Sequence, residues 1–188
     1  MDFQLGKYFI QAVSPIDFVV NARLLPIFNQ YKDVITDDYW TKNQAESDNA
    51  FRGMIAMYAP FFWACYDDEG NCIGFIYLND WRNGRHSCAI HIVIDEAYRG
   101  HVVISSIKRF LNMVFNYLGV RRVEGCSPIY NKKCIAFMKI SGLKEEGVNK
   151  GASLKNGKPL DYVMFGLTKE MYNGKTTSTA NSSSFSPL

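Results

Sequence analysis

The chain of 188 residues has the length of one domain and is long enough to bury a hydrophobic core. Its composition, 47% hydrophobic and 21% charged, is that of an ordinary globular protein, and a net charge of +3 argues against the dense basic surface that nucleic-acid binding requires. The chain starts without the pattern of a secretory signal, and its longest apolar run, 54–66, is too short to cross a membrane. We therefore expect a soluble cytoplasmic protein with no membrane partner and no nucleic-acid partner.

The first predicted elements are a strand over 5–13 and a helix directly after it. Ser14 as N-cap, Pro15 at the first helical position and Asp17 two residues further on form a start signal for that helix. Pro26 lies inside the helical pattern and predicts a bend or a break there.

The middle of the chain predicts a helix followed by an antiparallel meander. The helix covers 48–59, and 61–81 contains two aromatic-rich strands joined by a turn. A second turn at 82–85 leads into a strand over 86–95. The nearly continuous apolar character of this strand predicts burial on both faces.

A helix over 103–118 follows, since its apolar residues recur with helical spacing and form one stripe. The stripe consists of Val103, Ile107, Phe110, Leu111, Val114 and Leu118. Gly119 ends the helix, and the next strand covers 121–128. One helix joins the strands 86–95 and 121–128, so the crossover rule makes these two strands parallel.

The last elements are a short helix over 131–141 and two strands, 143–151 and 159–168, around the turn 155–158. From Asn173 onward almost no apolar residue remains, which predicts a flexible tail. The element order is that of a mixed α/β domain without internal repeats.

Cysteine and histidine spacing indicates no metal site. The five cysteines form no CxxC pair, and the three histidines show no i, i+4 pair. Most cysteines lie in apolar segments, which is typical of reduced, buried thiols.

The turn that opens the helix 103–118 is the candidate ligand site. Ligands of open sheets collect outside the carboxyl ends of parallel strands, which places 95–104 opposite 127–131. A helix start presents unpaired N–H groups and a positive dipole end, and Arg99 and Gly100 would add charge and close approach for a pyrophosphate. The alternative is an ordinary helix start with a solvated arginine.

Three motifs in order carry a resemblance to the GNAT N-acetyltransferase superfamily. "VIDEAYRG" (93–100) matches the family's strand end and Arg-Gly start. The segment 127–147 matches its helix opened by Asn131 and its Gly-aromatic step, written here as Gly142 and a leucine. The segment 156–172 resembles the closing strand of the branch that acts on ribosomal-protein N-termini.

The resemblance covers 5–172 and is specific over 90–170. It implies a domain over 1–172, with a mostly antiparallel central sheet that contains a splayed parallel strand pair and is flanked by helices. Residues 173–188 are then a Ser/Thr/Asn-rich tail.

The resemblance also implies acetyl-CoA as co-substrate, without a metal. The backbone of Ile92, Val93 and Ile94 would pair with the pantetheine arm, and Asn131 would contact the cofactor from the next helix. The pyrophosphate would lie on a turn made of Arg99, Gly100, His101, Val102, Val103 and Ile104.

Two departures from the family pattern stand out. The two later family glycines fall on Val102 and Ile104, which are stiff and would crowd the phosphates, although a helical backbone remains open to them. Met138 stands where many members place a catalytic tyrosine, but the branch acting on ribosomal-protein N-termini often lacks that tyrosine too.

Acetyl transfer requires a deprotonated amine, a polarised thioester carbonyl and a stabilised thiolate. Candidate bases are His91 on the central strand and Asp95 or Glu96 at its end. Tyr130 and Ser127, at the opposing strand end, are candidate donors to the leaving sulfur. For His91 the alternative is a structural partner of polar groups in the core.

Two functions stay open at this point. The first is an acetyl-CoA-dependent N-acetyltransferase that transfers an acetyl group to a primary amine, on a protein N-terminus or a small molecule, by direct attack in a ternary complex. The second is a catalytically inactive binding or assembly module with the same fold, for example a bacteriophage virion component. That second function is suggested by Val102, Ile104 and a tail that could mediate homo-oligomer or protein assembly.

Overall fold

The structure is a computed structural model and describes residues 2–35 and 47–174. The described residues form one sheet of eight strands in the order β1-β2-β3-β4-β5-β6-β8-β7. The strands are β1 (Phe3–Leu5), β2 (Tyr8–Ala12), β3 (Phe62–Tyr66), β4 (Cys72–Arg82), β5 (Ser87–Ile94), β6 (Arg122–Pro128), β7 (Lys144–Lys155) and β8 (Lys158–Thr168). All neighbours pair antiparallel except β5 and β6, which are parallel, as the crossover helix predicts.

Four α-helices of nine residues or more flank the sheet in the described ranges. They are α1 (Phe18–Ile35), α2 (Ser47–Tyr58), α3 (His101–Asn112) and α4 (Lys132–Ile140). Two hydrophobic cores result, one on each face of the sheet: α3 and α4 pack on one face, and α1 and α2 pack on the other. This confirms the mixed, mostly antiparallel fold with one parallel pair.

The prediction of a single strand over 5–13 is wrong. Leu5 pairs with Tyr8, so β1 and β2 form a tight hairpin with a two-residue loop. Gly6 has a φ of 78°, which belongs to the left-handed region where glycine is favoured. Gly6 is therefore the turn signal of the hairpin, and the strand-like residues on both sides of it led to the prediction of one continuous strand.

Helix α1 begins later than predicted, because Asp17 and not Ser14 is its N-cap. The Asp17 carboxylate accepts a hydrogen bond from the backbone N–H of Val20 at 3.0 Å, and its carbonyl accepts the first helical bond, from Asn21. The helix continues through Pro26, so the predicted break does not occur there.

Helix α3 begins two residues earlier than predicted and ends in a π-helical turn over Met113–Tyr117. The N–H of Leu118 donates to the carbonyl of Met113 at 3.1 Å, five residues back. This turn keeps Val114, Phe115 and Leu118 in the core.

The C-terminal prediction is only partly covered by the described residues. A short helical segment follows β8 over 169–174, so Asn173 still belongs to regular structure. The remainder of the predicted tail lies outside the described ranges. Within those ranges no helix is both long and apolar enough to span a membrane, and the cytoplasmic location stays a prediction.

Candidate functional site between two diverging strands

The parallel strands β5 and β6 pair only at their beginnings. The recorded pairs end with Ala89 and Glu124, although β5 continues to Ile94 and β6 continues to Pro128. On their other sides both strands remain paired, β5 with β4 and β6 with β8. We call this divergence, over 90–94 and 125–128, the splay. It leaves one edge of β5 open to an extended ligand.

Helix α3 begins beside the mouth of the splay with free backbone donors. Its N-cap is Gly100, which provides no side-chain hydrogen bond, and the first helical bond runs from Ile104 N to Gly100 O at 3.2 Å. The N–H groups of His101, Val102 and Val103 precede that bond and point out of the helix start. A Cβ at Gly100 would meet nothing within 4 Å, so the space at the turn is open.

The missing glycines do not prevent this turn from forming. Gly100 has a φ of 154°, whereas Val102 and Ile104 lie within the regular helix. β-branched residues adopt helical backbone angles without strain, so the donors of the turn survive the substitutions. The helix start therefore retains the geometry of an anion site.

Arg99 does not project freely into the mouth. Its Nε donates to the carbonyl of Ile94 at 3.0 Å, and its guanidinium lies 5.1 Å from the centre of the Tyr31 ring. The Tyr31 hydroxyl in turn accepts from the backbone N–H of Glu96 at 2.8 Å. The sequence did not indicate Tyr31, which helix α1 brings to the end of β5 to hold the turn in place.

Glu96 forms an ion pair with Lys133 across the mouth of the splay. The hydrogen bond from Lys133, together with its charge and that of Arg99, lowers the pKa of Glu96. Glu96 is therefore ionised but already paired, which makes it a weak general base in this arrangement. Asp95 is also engaged, because its carboxylate accepts from Ala97 N at 3.0 Å.

His91 is held as a structural group on the face of the sheet that carries α1 and α2. Its Nε2 lies 2.9 Å from Asn79 Oδ1, and its ring stacks on Tyr77 at 4.4 Å. Burial lowers the pKa of His91 to about 4, with the charge of Asp80 opposing the shift. With Nε2–H donated to Asn79, the ring is neutral at pH 7 and poorly basic.

The ring of His91 ends a row of stacked rings that we call the aromatic stack. Its members are Tyr58, Phe62, Phe75, Tyr77 and His91. Tyr58 comes from α2 and the others come from β3, β4 and β5. The stack packs on the face of β5 that carries α1 and α2. The edge of β5 toward β6 stays open over 90–94.

The three predicted pantetheine partners lie along the open part of β5. Val93 is buried on the face of α1 and α2, whereas Ile92 and Ile94 line a narrow apolar cavity under α3. That cavity measures about 20 Å³, enough for about one water molecule, so it is not the cofactor slot. The splay itself is the place where an extended arm would lie.

Asn131 caps helix α4 on the opposite side of the mouth. Its side-chain oxygen accepts from Cys134 N at 3.1 Å, which leaves its NH₂ group for a ligand. Tyr130, just before it, is half exposed, and partial burial raises the pKa of its hydroxyl. Ser127 is fully buried at the end of β6. The structure thus brings Asn131, Tyr130 and Ser127 together on the β6 side.

No three His, Cys, Asp or Glu side chains are grouped as metal ligands in the ranges 2–35 and 47–174. The electrostatic features of the site are instead a helix start with free N–H groups, a guanidinium and the Glu96–Lys133 pair. Two parallel strands that diverge beside a helix start without a side-chain cap are the arrangement that GNAT-type acyltransferases share.

The comparisons agree with this class. Residues 22–144, more than half of the chain, match the family described as "Acetyltransferase (GNAT) domain". The chain belongs to the GNAT acetyltransferase family. A curated relative, "Putative ribosomal N-acetyltransferase YdaF" of Bacillus subtilis (strain 168), is 22% identical over 173 residues, which cover 92% of this chain and 82% of the relative.

Solved structures share the fold at low sequence identity. The ribosomal-protein-S5-alanine acetyltransferase from Vibrio fischeri matches with a TM-score of 0.70 at 15% identity, covering 90% of this chain and 97% of that chain. Mutant forms of the spermidine/spermine N-acetyltransferase SpeG from Vibrio cholerae match with a TM-score of 0.71 at 18% identity, covering 90% and 98%. These likenesses show the fold.

Proposed function

We propose that the protein transfers an acetyl group from acetyl-CoA to a primary amine in a ternary complex. The observation that carries the proposal is the splay, where strand pairing ends after Ala89 and Glu124 beside the uncapped start of α3. Family membership supports acyl transfer, and it supports acetyl-CoA as the donor that such a slot would hold.

The residues present fit that co-substrate. The open edge of β5 over 92–94 offers backbone groups to the amides of the pantetheine arm. The helix start from Arg99 to Ile104 offers N–H groups and a positive dipole end to the pyrophosphate, and Asn131 offers its NH₂ group from α4. Arg99 would have to leave the carbonyl of Ile94 in order to reach a phosphate.

The chemistry then needs few protein groups. The amine nitrogen attacks the thioester carbon, a C–N bond forms and the C–S bond breaks. The acceptor is an ammonium ion at neutral pH, so it loses one proton before it attacks and a second one after the C–N bond has formed, and the thiolate of CoA gains one proton. Tyr130 is the proposed proton donor to the sulfur, because it is half exposed and lies just after the end of β6, beside the splay. His91 and Glu96 are poor bases here, so the amine loses its proton to water.

An amine acceptor is supported by the relatives. Their names refer to ribosomal proteins and to spermidine, which have in common a primary amine as acceptor. We take the amine as the common chemistry and leave its carrier to experiment.

The test is acetyl-CoA binding measured by calorimetry on the wild type, on Arg99→Ala and on Arg121→Ala. Arg121 is the control because it is exposed and pairs with Glu170 at 3.6 Å. It lies directly before the start of β6, at the end of that strand away from the splay. We expect saturable binding, a loss of at least about tenfold for Arg99→Ala and no change for Arg121→Ala; tenfold corresponds to about 1.4 kcal/mol.

Absence of binding at millimolar acetyl-CoA would contradict the proposed function. It would leave the inactive binding module as the function to pursue. Equal losses in both arginine variants would show a nonspecific charge effect, and they would remove Arg99 from the site.

A further inference from the structure

Helix α1 exposes two large aliphatic side chains where it begins. Ile16, directly before the N-cap Asp17, is 78% exposed, and Val19 in the first turn is 65% exposed. They lie only three residues apart, and we call them the apolar strip. Single apolar side chains on a surface are normal, whereas neighbouring large ones rimmed by polar groups indicate an interaction surface.

A groove of about 560 Å³ lies beside the apolar strip, between α1 and the strands β1 and β2. Val20 and Arg23 border it from α1, the first of them next to Val19 and the second about one turn further on. Its floor contains the rings of Phe9 and Tyr66, whose centres are 6.4 Å apart. The apolar strip and the groove therefore form one continuous surface.

The groove carries charges of both signs at its rim. Lys7 comes from the β1–β2 loop and Asp68 from the turn between β3 and β4, and both are exposed. Within 2–35 and 47–174, neither side chain forms an ion pair or a hydrogen bond. The neighbouring Asp67, in contrast, is used inside its own turn, where its carboxylate accepts from Asn71 N at 2.8 Å. Lys7 and Asp68 are thus available to a partner.

These features make the surface complementary to itself. In a two-fold dimer both copies contribute the same patch, so an apolar projection needs a recess nearby and each charge needs its opposite nearby. Here the apolar strip borders the groove, and Lys7 and Asp68 line that groove together. One rotation then seats each strip in the other copy's groove and brings Lys7 to the partner subunit's Asp68.

A partner of a single charge sign fits this surface less well. An acidic peptide would place like charges beside Asp68, and a basic one would place them beside Lys7, which costs free energy in a desolvated contact. A second copy of the chain supplies both charges and the apolar side chains at once.

We propose that this surface is the interface of a homodimer, in which the apolar strip of each copy occupies the groove of the other. The groove is lined by β1, β2 and β3, whereas the splay lies between β5 and β6. The inference therefore goes beyond the acetyl transfer proposed above and does not depend on it.

The first test is the oligomeric state of the full chain, measured by sedimentation velocity over a range of micromolar concentrations. The wild type should sediment as a dimer, at twice the monomer mass of 21.4 kDa. Val19→Glu would bury two carboxylates in the interface, one from each copy, so the Kd of its dimer should rise at least about a hundredfold. Met57→Glu is the matched control and should remain a dimer.

Met57 suits this purpose because it is 70% exposed and receives the same new charge. It lies beside Tyr58 of α2, whose ring stacks on Tyr77 at 4.7 Å. Tyr77 in turn pairs with Phe62 at the start of β3, whereas the groove lies at the other end of that strand, at Tyr66. Circular dichroism checks that every variant is folded.

The second test exchanges the two charges. Lys7→Glu and Asp68→Lys each place like charges opposite one another in the dimer, and each should raise its Kd about tenfold. The double variant rebuilds both ion pairs with reversed sign, so its Kd should return toward the wild-type value. Such a rescue identifies a direct contact between these two positions.

A wild type that stays monomeric at every concentration would overturn the inference. So would a dimer that Val19→Glu and both charge variants leave unchanged, because another surface would then hold it together. Failure of the double variant to restore the dimer would overturn the proposed arrangement of the two copies. None of these outcomes concerns acetyl-CoA binding, whose absence is the separate failure of the proposed function.

Discussion

The aromatic stack and the splay lie on opposite sides of strand β5. They differ in whether their polar groups have hydrogen-bond partners within the protein. In the stack, His91 meets Asn79 on its ring nitrogen and Tyr77 on its ring face, so its polarity is used within the protein. In the splay, β5 after Ala89 no longer pairs with β6, and α3 starts beside the splay without a side-chain cap. Satisfied groups stabilise a fold, while accessible unsatisfied ones are available to a ligand.

The comparison predicts that variants of the stack change stability and leave cofactor binding intact. The largest effect is expected for Phe62→Ala. Phe62 is fully buried, with ring centres 5.4 Å from Phe75 and 5.5 Å from Tyr77. Truncating a buried Phe costs about 3–5 kcal/mol, to be measured by chemical denaturation. The acetyl-CoA affinity of the folded variant should equal that of the wild type. A large loss of affinity would show that the aromatic stack and cofactor binding are not independent.

His91 gives the next effect, and it depends on pH. Its pKa of about 4 in the folded protein lies below the ordinary value near 6.5, so the unfolded chain binds the proton more readily. This contribution to stability is complete above pH 6.5 and is lost as the pH falls toward 4, by about 3 kcal/mol. His91→Gln lacks this titration.

The measurement is the free energy of unfolding of both proteins between pH 7 and pH 4. The wild type should lose more stability than His91→Gln over that range. Parallel curves would show that His91 titrates as it does in water. Its burial in the stack would then make no pH-dependent contribution to the free energy of unfolding.

The splay gives the opposite expectation, a change in binding with little change in fold. Gly100→Asp places a carboxylate at the uncapped start of α3, where it competes with a phosphate for the same N–H groups. We expect acetyl-CoA binding to weaken by about a hundredfold, or about 2.7 kcal/mol, in a calorimetric titration.

Gly100→Ala is the control for this variant. A Cβ at position 100 meets no atom within 4 Å, so Ala tests the backbone strain alone. Equal losses in the two variants would show that the conformation of Gly100 matters and that the free donors do not.

Regular elements were predictable from the sequence because their signals are local. The helical stripe ending at Leu118 and the strand pair joined by α3 follow from spacing and from the crossover rule. The β1–β2 hairpin was missed because its only turn signal is a single glycine, Gly6, between two short strand-like segments.

The site itself was predictable only through the family resemblance. Arg99 and Gly100 directly precede helix α3, and their part in a pyrophosphate turn stays a prediction. Tyr31 and Asn79 were not predicted, because their roles arise from hydrogen bonds to residues distant in the chain. Whether His91 is basic is likewise decided by burial, which a sequence does not display.

The π-helical turn at the end of α3 has a consequence for chain length. A π turn is an α-helical turn with one residue more than the ordinary bonding pattern needs. Asn116 is an exposed member of this turn, while Met113, Val114 and Phe115 are buried. A chain shorter by that one residue could close the turn with ordinary helical bonds before Gly119. Among related chains, this is where a one-residue insertion or deletion would be absorbed without moving β6 or the splay.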